Sequence, residues 1–310
     1  MLRLLILGSA AGGGFPQWNS NDAASQRARA GDPLVSPRTQ SSIAITADDR
    51  RWVIVNASPD LRQQINDNPP LHPSDGKRHS PIASIVLTNG DVDHITGLLT
   101  LRESHPLAVY ATPRVLSILQ ANSVFNVLNP EFVARRPINL GASLEVADRT
   151  GAGTGVTIEV FPVPGKVALY AEDAKAGANF GTQPEDTIGL KIGTTSGASS
   201  FFYIPGCAQM TQELAERLRG AALVLFDGTL WHDDEMIVAG VGVKTGARMG
   251  HLSVNGSNGT MAAFEALDVE RKIFIHINNT NPILVGDSPE RAQIRAAGWE
   301  AAHDGMDIRL

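Results

Sequence analysis

Short apolar runs recur from one end of this chain to the other, and their length and makeup leave little room for any architecture but layered sheets. The runs Leu2–Leu7, Ser42–Thr46, Trp52–Val55, Ser84–Thr88, Val156–Val163, Ile188–Ile192, Phe201–Ile204, Leu223–Phe226 and Ile273–Ile277 are rich in β-branched or aromatic residues and are bounded by Gly, Pro, Asn or Asp. Runs of that kind read as strands. Helix-like stretches lie between them at Pro59–Ile65, His94–Glu103, Pro113–Gln120, Thr211–Arg219, Thr260–Leu267 and Ser288–Ala297, several with Asp, Ser or Thr ahead and Gly or Pro behind. An early hairpin joins 42–46 to 52–55, whereas later strands alternate with helices. Two sheets with helices outside suit both habits better than one parallel sheet. No fixed-period repeat or long linker divides the chain, so a single four-layer α/β domain over residues 1–310 is expected. The segments 141–155 and Ala171–Asp186 read as loops, the second a candidate lid.

With 310 residues, 43% of them hydrophobic, the chain can bury a sizeable core. A formal charge of −6 argues against broad nucleic-acid binding, which calls for a basic face. No apolar run approaches the roughly 18–20 residues a membrane span needs, and "MLRLLILGSAAGGG" reads as a first strand, not a signal peptide. A cytoplasmic location is the expectation. The single cysteine, Cys207, excludes an internal disulfide framework and a Cys-rich zinc site, and reads as a small buried apolar residue. The glycines at 8, 12, 13 and 14 do not make a dinucleotide fingerprint, because Pro16 interrupts the helix it requires. No Walker loop and no G-x-S-x-G elbow is present.

Residues 88–98, "TNGDVDHITGL", follow an apolar run and precede a helix-like one, so Asp91, Asp93 and His94 gather at a strand's carboxyl end, where α/β proteins place their sites. Two carboxylates and an imidazole suit iron, manganese or zinc. Asp93 as a helix N-cap with its neighbours solvated is the alternative. Three more segments put ligand-type side chains at strand ends or turns: Asp227 in "LVLFDGTLW", His251 in "RMGHLSVNG" and His276 in "KIFIHINNTNP". A buried Asp227 needs a compensating partner, and one metal explains the four segments economically. His72, His79, His105, His232 and His303 read as solvated loop residues.

The stretches "LGSAAGGGFPQWN", "RTQSSIA", "NASPDLR", "DGTLWHDDEM", "MGHL" and "HINNTNPIL" are similar to the coenzyme pyrroloquinoline quinone (PQQ) biosynthesis protein B family of the metallo-β-lactamase superfamily. The resemblance spans essentially the whole chain and implies an αββα sandwich. Against the superfamily loop H-x-H-x-D-H, Asn89 and Asp91 replace the first two histidines while Asp93 and His94 are kept, and "FPVPGKVALY" supplies no third-motif histidine. The resemblance therefore implies a mononuclear centre of Asp93, His94, Asp227 and His276, holding Fe(II), with zinc as the alternative ion in purified protein. His94, His276 and Asp93 would form a facial triad; Asp227 would complete the sphere or orient a ligand. Asp91 and His251 are the candidate acid–base groups. Family members often carry W-N-C-N-C-x-x-C for a structural zinc, but this chain has Ser20, Asp22 and Ser25 there.

The implied reaction is iron- and oxygen-dependent hydroxylation of the tyrosine-derived ring of a cross-linked Glu–Tyr intermediate. The implied partners are that precursor, O2 and other PQQ biosynthesis proteins. A soluble carrier of PQQ or its precursor is the alternative; a metal-dependent hydrolase is disfavoured by Asn89 and Asp91. A carboxylate-rich substrate calls for cations and neutral donors, and Arg38, Lys244, Arg248, Asn278, Asn279 and Asn281 are the candidates, with ordinary surface charge the competing reading of the cations.

Overall fold

The computed structural model describes all 310 residues and contains two seven-stranded sheets. The first runs in the spatial order β14 (Asp307–Arg309), β1 (Arg3–Gly8), β2 (Ser42–Thr46), β3 (Trp52–Val55), β4 (Ile82–Val86), β5 (Leu107–Ala111) and β6 (Val133–Pro137). The second runs β13 (Trp299–Ala301), β12 (Arg271–Ile275), β11 (Leu223–Asp227), β10 (Ser200–Ile204), β9 (Ile188–Thr194), β8 (Gly153–Pro162) and β7 (Ser143–Ala147). The expected 42–46/52–55 hairpin is present, and β3 to β6 and β10 to β13 pair in parallel.

Side-chain alternation explains why the strands read as continuous apolar runs. Leu4 and Ile6 of β1, Val53 and Val55 of β3, Ile158 and Val160 of β8, and Leu225 and Ile273 of β11 and β12 share one cluster between the sheets. The opposite parity faces helices: Leu5, Ile54 and Ile85 meet Leu61, Val115 and Leu119, while Phe226 and Phe274 meet Leu214, Phe264 and Ile294. With both faces of each sheet covered, few polar positions are left inside a strand. The result is the αββα sandwich.

The structure departs from the sequence reading in identifiable places. The segment 141–155 is not all loop, since it holds β7 and the start of β8; Ser143 and Glu145 of this edge strand are exposed, which hides its apolar alternation. Strands β5, β6, β13 and β14 and the helix Ala23–Arg29 are additional. β6 carries two arginines, and the helix buries only Ser25 and Ala28. The expected helix 94–103 is one α-turn, Val92–Ile95, followed by the 3-10 segment Thr96–Leu101. It is pinned there by a close approach: a Cβ at Gly97 would stand 2.1 Å from the Ser58 carbonyl oxygen. The run 273–277 ends as a strand at Ile275, because His276 adopts a left-handed φ of 59°. Residues 172–186 form a loop, as expected. No helix is long and apolar enough to cross a membrane.

Candidate metal centre

The parallel strands aim their carboxyl ends at one place. β4 leads into Asn89–His94, β11 ends on Asp227, and β12 is followed directly by His276. Two backbone crossings tie the edges together: Thr187 bridges to Asn89, and Ala10 bridges to Ile277. The glycine loop after β1 closes another side, and a Cβ at Gly12 would lie 3.6 Å from the Asp93 carboxylate. Gly13 and Gly14 take φ of 91° and 69° in this turn, which accounts for glycines where the sequence superficially suggested a nucleotide loop.

Two groups of ligand-type atoms meet at His276. Asp93, His94 and His276 form one, and Asp227, His251 and His276 the other. The three imidazoles stack in a row, with His276 central: its ring centroid is 5.3 Å from that of His94 and 5.2 Å from that of His251. The Asp93 Oδ2 to His276 Nε2 distance is 3.0 Å. Strained left-handed backbone at a bulky residue concentrates at functional sites, and His276 is such a residue.

The surrounding hydrogen bonds decide which atoms are free. Asn89 Oδ1 accepts the Asp91 amide at 2.9 Å and lies 2.7 Å from His94 Nδ1, so Nδ1 is the protonated nitrogen. His94 Nε2 is then a lone pair, buried and without any partner in the protein. Thr229 donates its hydroxyl to Asp227 Oδ1 at 2.6 Å and accepts from His276 Nδ1 at 2.8 Å, which leaves His276 Nε2 facing Asp93. Asp227 Oδ1 also receives the Thr229 amide, and Oδ2 receives the Cys207 amide and His251 Nδ1 at 2.9 and 2.7 Å. Both its oxygens are thus engaged by the chain. An unpartnered buried nitrogen beside a carboxylate and a second imidazole fits a metal ion, whose ligands commonly take their orientation from groups behind them.

Electrostatics follow from this crowding. Burial, outweighing Asp93, pushes His94 down to about 4. Burial works against charging His276 too, but the hydrogen bond and charge of Asp93, with Asp227 and Asp91 behind it, raise it above the ordinary histidine value. Burial would lift Asp93, yet His94 and His276 hold its carboxyl well below the usual range. Burial and the Asp93 charge lift Asp91 to about 6. For Asp227, burial is outweighed by His251 and the value falls. Cys207 is buried, as expected, and its thiol is pushed up to about 12 by burial and Asp227.

Asp91, Asp93, His94, Asp227, His251 and His276 are therefore brought together, whereas the expected substrate contacts are only partly so. Arg38 is buried and turned to the Ala302 carbonyl and the Ser9 hydroxyl. Asn281 donates to the Gly228 carbonyl and caps the turn at Ile283. Asn278 donates to Thr280. Lys244 is half-buried, and Arg248 pairs with Glu172. The five other histidines lie in loops.

Asn279 belongs to a different cluster. Its side chain reaches Ser20 at 3.2 Å and holds the Gln17 amide at 2.9 Å, while Ser20 and Ser25 both donate to Asp22. These residues offer no thiolate, and their oxygens are already hydrogen-bonded, so they do not fit a structural zinc. Hydrogen bonds join the 17–25 segment to the turn after His276 instead.

Comparison with known proteins assigns the family. The profile described as Beta-lactamase superfamily domain matches residues 51–277. Coenzyme PQQ synthesis protein B of Gluconacetobacter diazotrophicus is 55% identical, with 99% of each chain covered. That of Xanthomonas campestris pv. campestris is 52% identical across 100% of both. The chain belongs to the coenzyme PQQ synthesis protein B family. Its role lies in PQQ biosynthesis. The crystal structure of Zn(2+)-bound PqqB from Methylobacterium extorquens superposes with a TM-score of 0.93 at 50% identity, covering 99% of this chain and 100% of that one. A diphosphatase of the PhnP family, at 19% identity and a TM-score of 0.69, shares the fold.

The sequence reading missed Asn89 and Thr229, which hydrogen-bond to the candidate ligands His94 and His276. For Asn89 the signal was present, since an amide at the first position of the loop pattern still sits beside the candidate ligand His94.

Proposed function

We propose that the protein hydroxylates the tyrosine-derived ring of a cross-linked Glu–Tyr intermediate during PQQ biosynthesis, using one Fe(II) ion and O2, of which one atom enters the ring and the other leaves as water, with the two further electrons and protons supplied by the same ring as it passes on to the quinone. The observation that carries this reading is the buried, unpartnered Nε2 of His94 beside Asp93 and His276. Two imidazoles and one carboxylate with open positions are the donor set of non-haem Fe(II) oxygenases. An ion held there would supply activation of O2.

The chain's own residues do the positioning. Asn89 fixes the His94 tautomer, and Thr229, itself held by Asp227, fixes that of His276. Asp227 then acts on His276 through Thr229, and with four donors on its two oxygens it is a poor candidate to hold a second ion. One ion fits this arrangement better than the two that superfamily hydrolases commonly use to activate water. Asp91, whose carboxylate accepts no hydrogen bond from the protein, and His251, anchored to Asp227 by Nδ1, are the groups we assign to proton exchange with substrate.

The test is anaerobic Fe(II) loading followed by O2 uptake and product mass with the cross-linked Glu–Tyr compound. The parent protein gains oxygen atoms in the product and His276→Ala does not. Tight substrate binding with no uptake under any metal would favour a carrier.

A further inference from the structure

The loop between β8 and β9 touches both walls of the metal centre. On one side Tyr170 donates its hydroxyl to the Gly90 carbonyl at 2.5 Å, next to Asp91. On the other, Lys166 packs on Gly250, beside His251: a Cβ there would lie 3.0 Å from the Lys166 stem. Between these contacts the loop places one carboxylate, Glu172, against two cations. Arg248 grips it with both terminal nitrogens at 2.9 and 2.8 Å, and Lys166 Nζ lies 3.6 Å away. The Arg248 guanidinium also stacks over Phe180 at 4.1 Å from the ring centroid. Glu172 is only 12% exposed despite sitting on a loop.

An ordinary surface ion pair pins little. This arrangement is richer, with a bidentate fork, a second cation and an aromatic wall around a single carboxylate, which are the components of a carboxylate-recognition pocket. Positive charge exceeds negative within it by one. Arg248 lies three residues ahead of His251 in sequence. We propose that Arg248 and Lys166, walled by Phe180, form a carboxylate-binding subsite beside the metal centre, and that Glu172 of the chain's own loop occupies it until a substrate carboxylate takes its place. The subsite selects amino-acid-derived polycarboxylates. The proposal rests on the reading that substrate reacts at the metal centre.

The test is calorimetric titration of the metal-free, full-length protein with glutarate, and with glutaramide as the uncharged control. The parent binds glutarate weakly, because Glu172 competes. Glu172→Gln binds it about tenfold or more tightly, and adding Arg248→Ala or Lys166→Met to that variant reverses the gain. Glutaramide binds none of them. Circular dichroism checks the fold, and Glu172→Ser replaces Glu172→Gln if the latter is unfolded. Equal glutarate affinity in parent and Glu172 variant, or a gain that survives Arg248→Ala, overturns the subsite. Because no metal is present, that failure leaves the iron reading standing, whereas loss of O2 uptake chemistry would sink the iron reading alone.

Discussion

Asn89 stands at the first histidine of the superfamily loop pattern H-x-H-x-D-H, and its amide oxygen faces His94 Nδ1. Its oxygen is fixed by the Asp91 amide and faces His94 Nδ1, so removing it frees the imidazole to turn or change tautomer. Groups behind a ligand are typically worth about 10- to 100-fold in metal affinity. Asn89→Ala is therefore expected to weaken Fe(II) or Zn(II) binding by about that factor, read by competition with a coloured chelator, and to lower the thermal midpoint of the metal-free protein by a few degrees, because the buried His94 Nδ1 and the Asp91 amide lose their acceptor. Undiminished affinity would show that His94 is oriented by packing alone. At this scale the sequence pointed to the side chains that gather at the centre and was silent about what holds them in place. Asp93, His94, Asp227 and His276 stand out as polar residues at the ends of apolar runs, but nothing in spacing shows that Thr229 joins Asp227 to His276, nor that Arg38 turns inward to Ala302.

Among the elements, the helix Ala23–Arg29 shows how a segment can be ordered without an apolar stripe. Asp22 caps it by accepting the Ser25 amide at 2.8 Å and also gathers the hydroxyls of Ser20 and Ser25. Arg29 closes the turn by donating to the Gln17 carbonyl at 2.7 Å. Such a helix is illegible to hydrophobic periodicity, since only Ser25 and Ala28 of its seven residues are buried and most of its contacts are polar. Asp22→Ala removes the cap and the hydroxyl contacts together, a loss of about 1–2 kcal/mol, seen as a fall of a few degrees in the thermal midpoint. Burial works to raise the Asp22 carboxyl, but its hydrogen bonds to Ser20 and Ser25 hold it below the ordinary value of 3.8. A depressed folded-state value means the contribution is complete above that ordinary value and fades as pH falls below it. The gap between parent and Asp22→Ala midpoints should accordingly be full at pH 7 and shrink in acid, and a gap unchanged by pH would show that Asp22 acts without its charge. Neither midpoint should respond to chelator through this segment.

On the scale of the whole molecule, the centre joins the two sheets. Asp93 and His94 follow β4 of the first, and His276 follows β12 of the second. This layout was legible in outline, because strands covered on both faces by cores and helices leave long apolar runs, and runs alternating with helices place polar loops at one edge. The sheet margins were not, because β6, β7, β13 and β14 are short or carry charged and exposed residues that blur the pattern. The proposed function needs a single ion where the loops after β4 and β12 meet. The most direct test is anomalous X-ray diffraction at the iron edge from crystals grown with Fe(II) under anaerobic conditions. One peak per chain, within bonding reach of Asp93, His94 Nε2 and His276 Nε2, is the predicted result; two peaks, or one held by Asp227 and His251 away from His94, would contradict it.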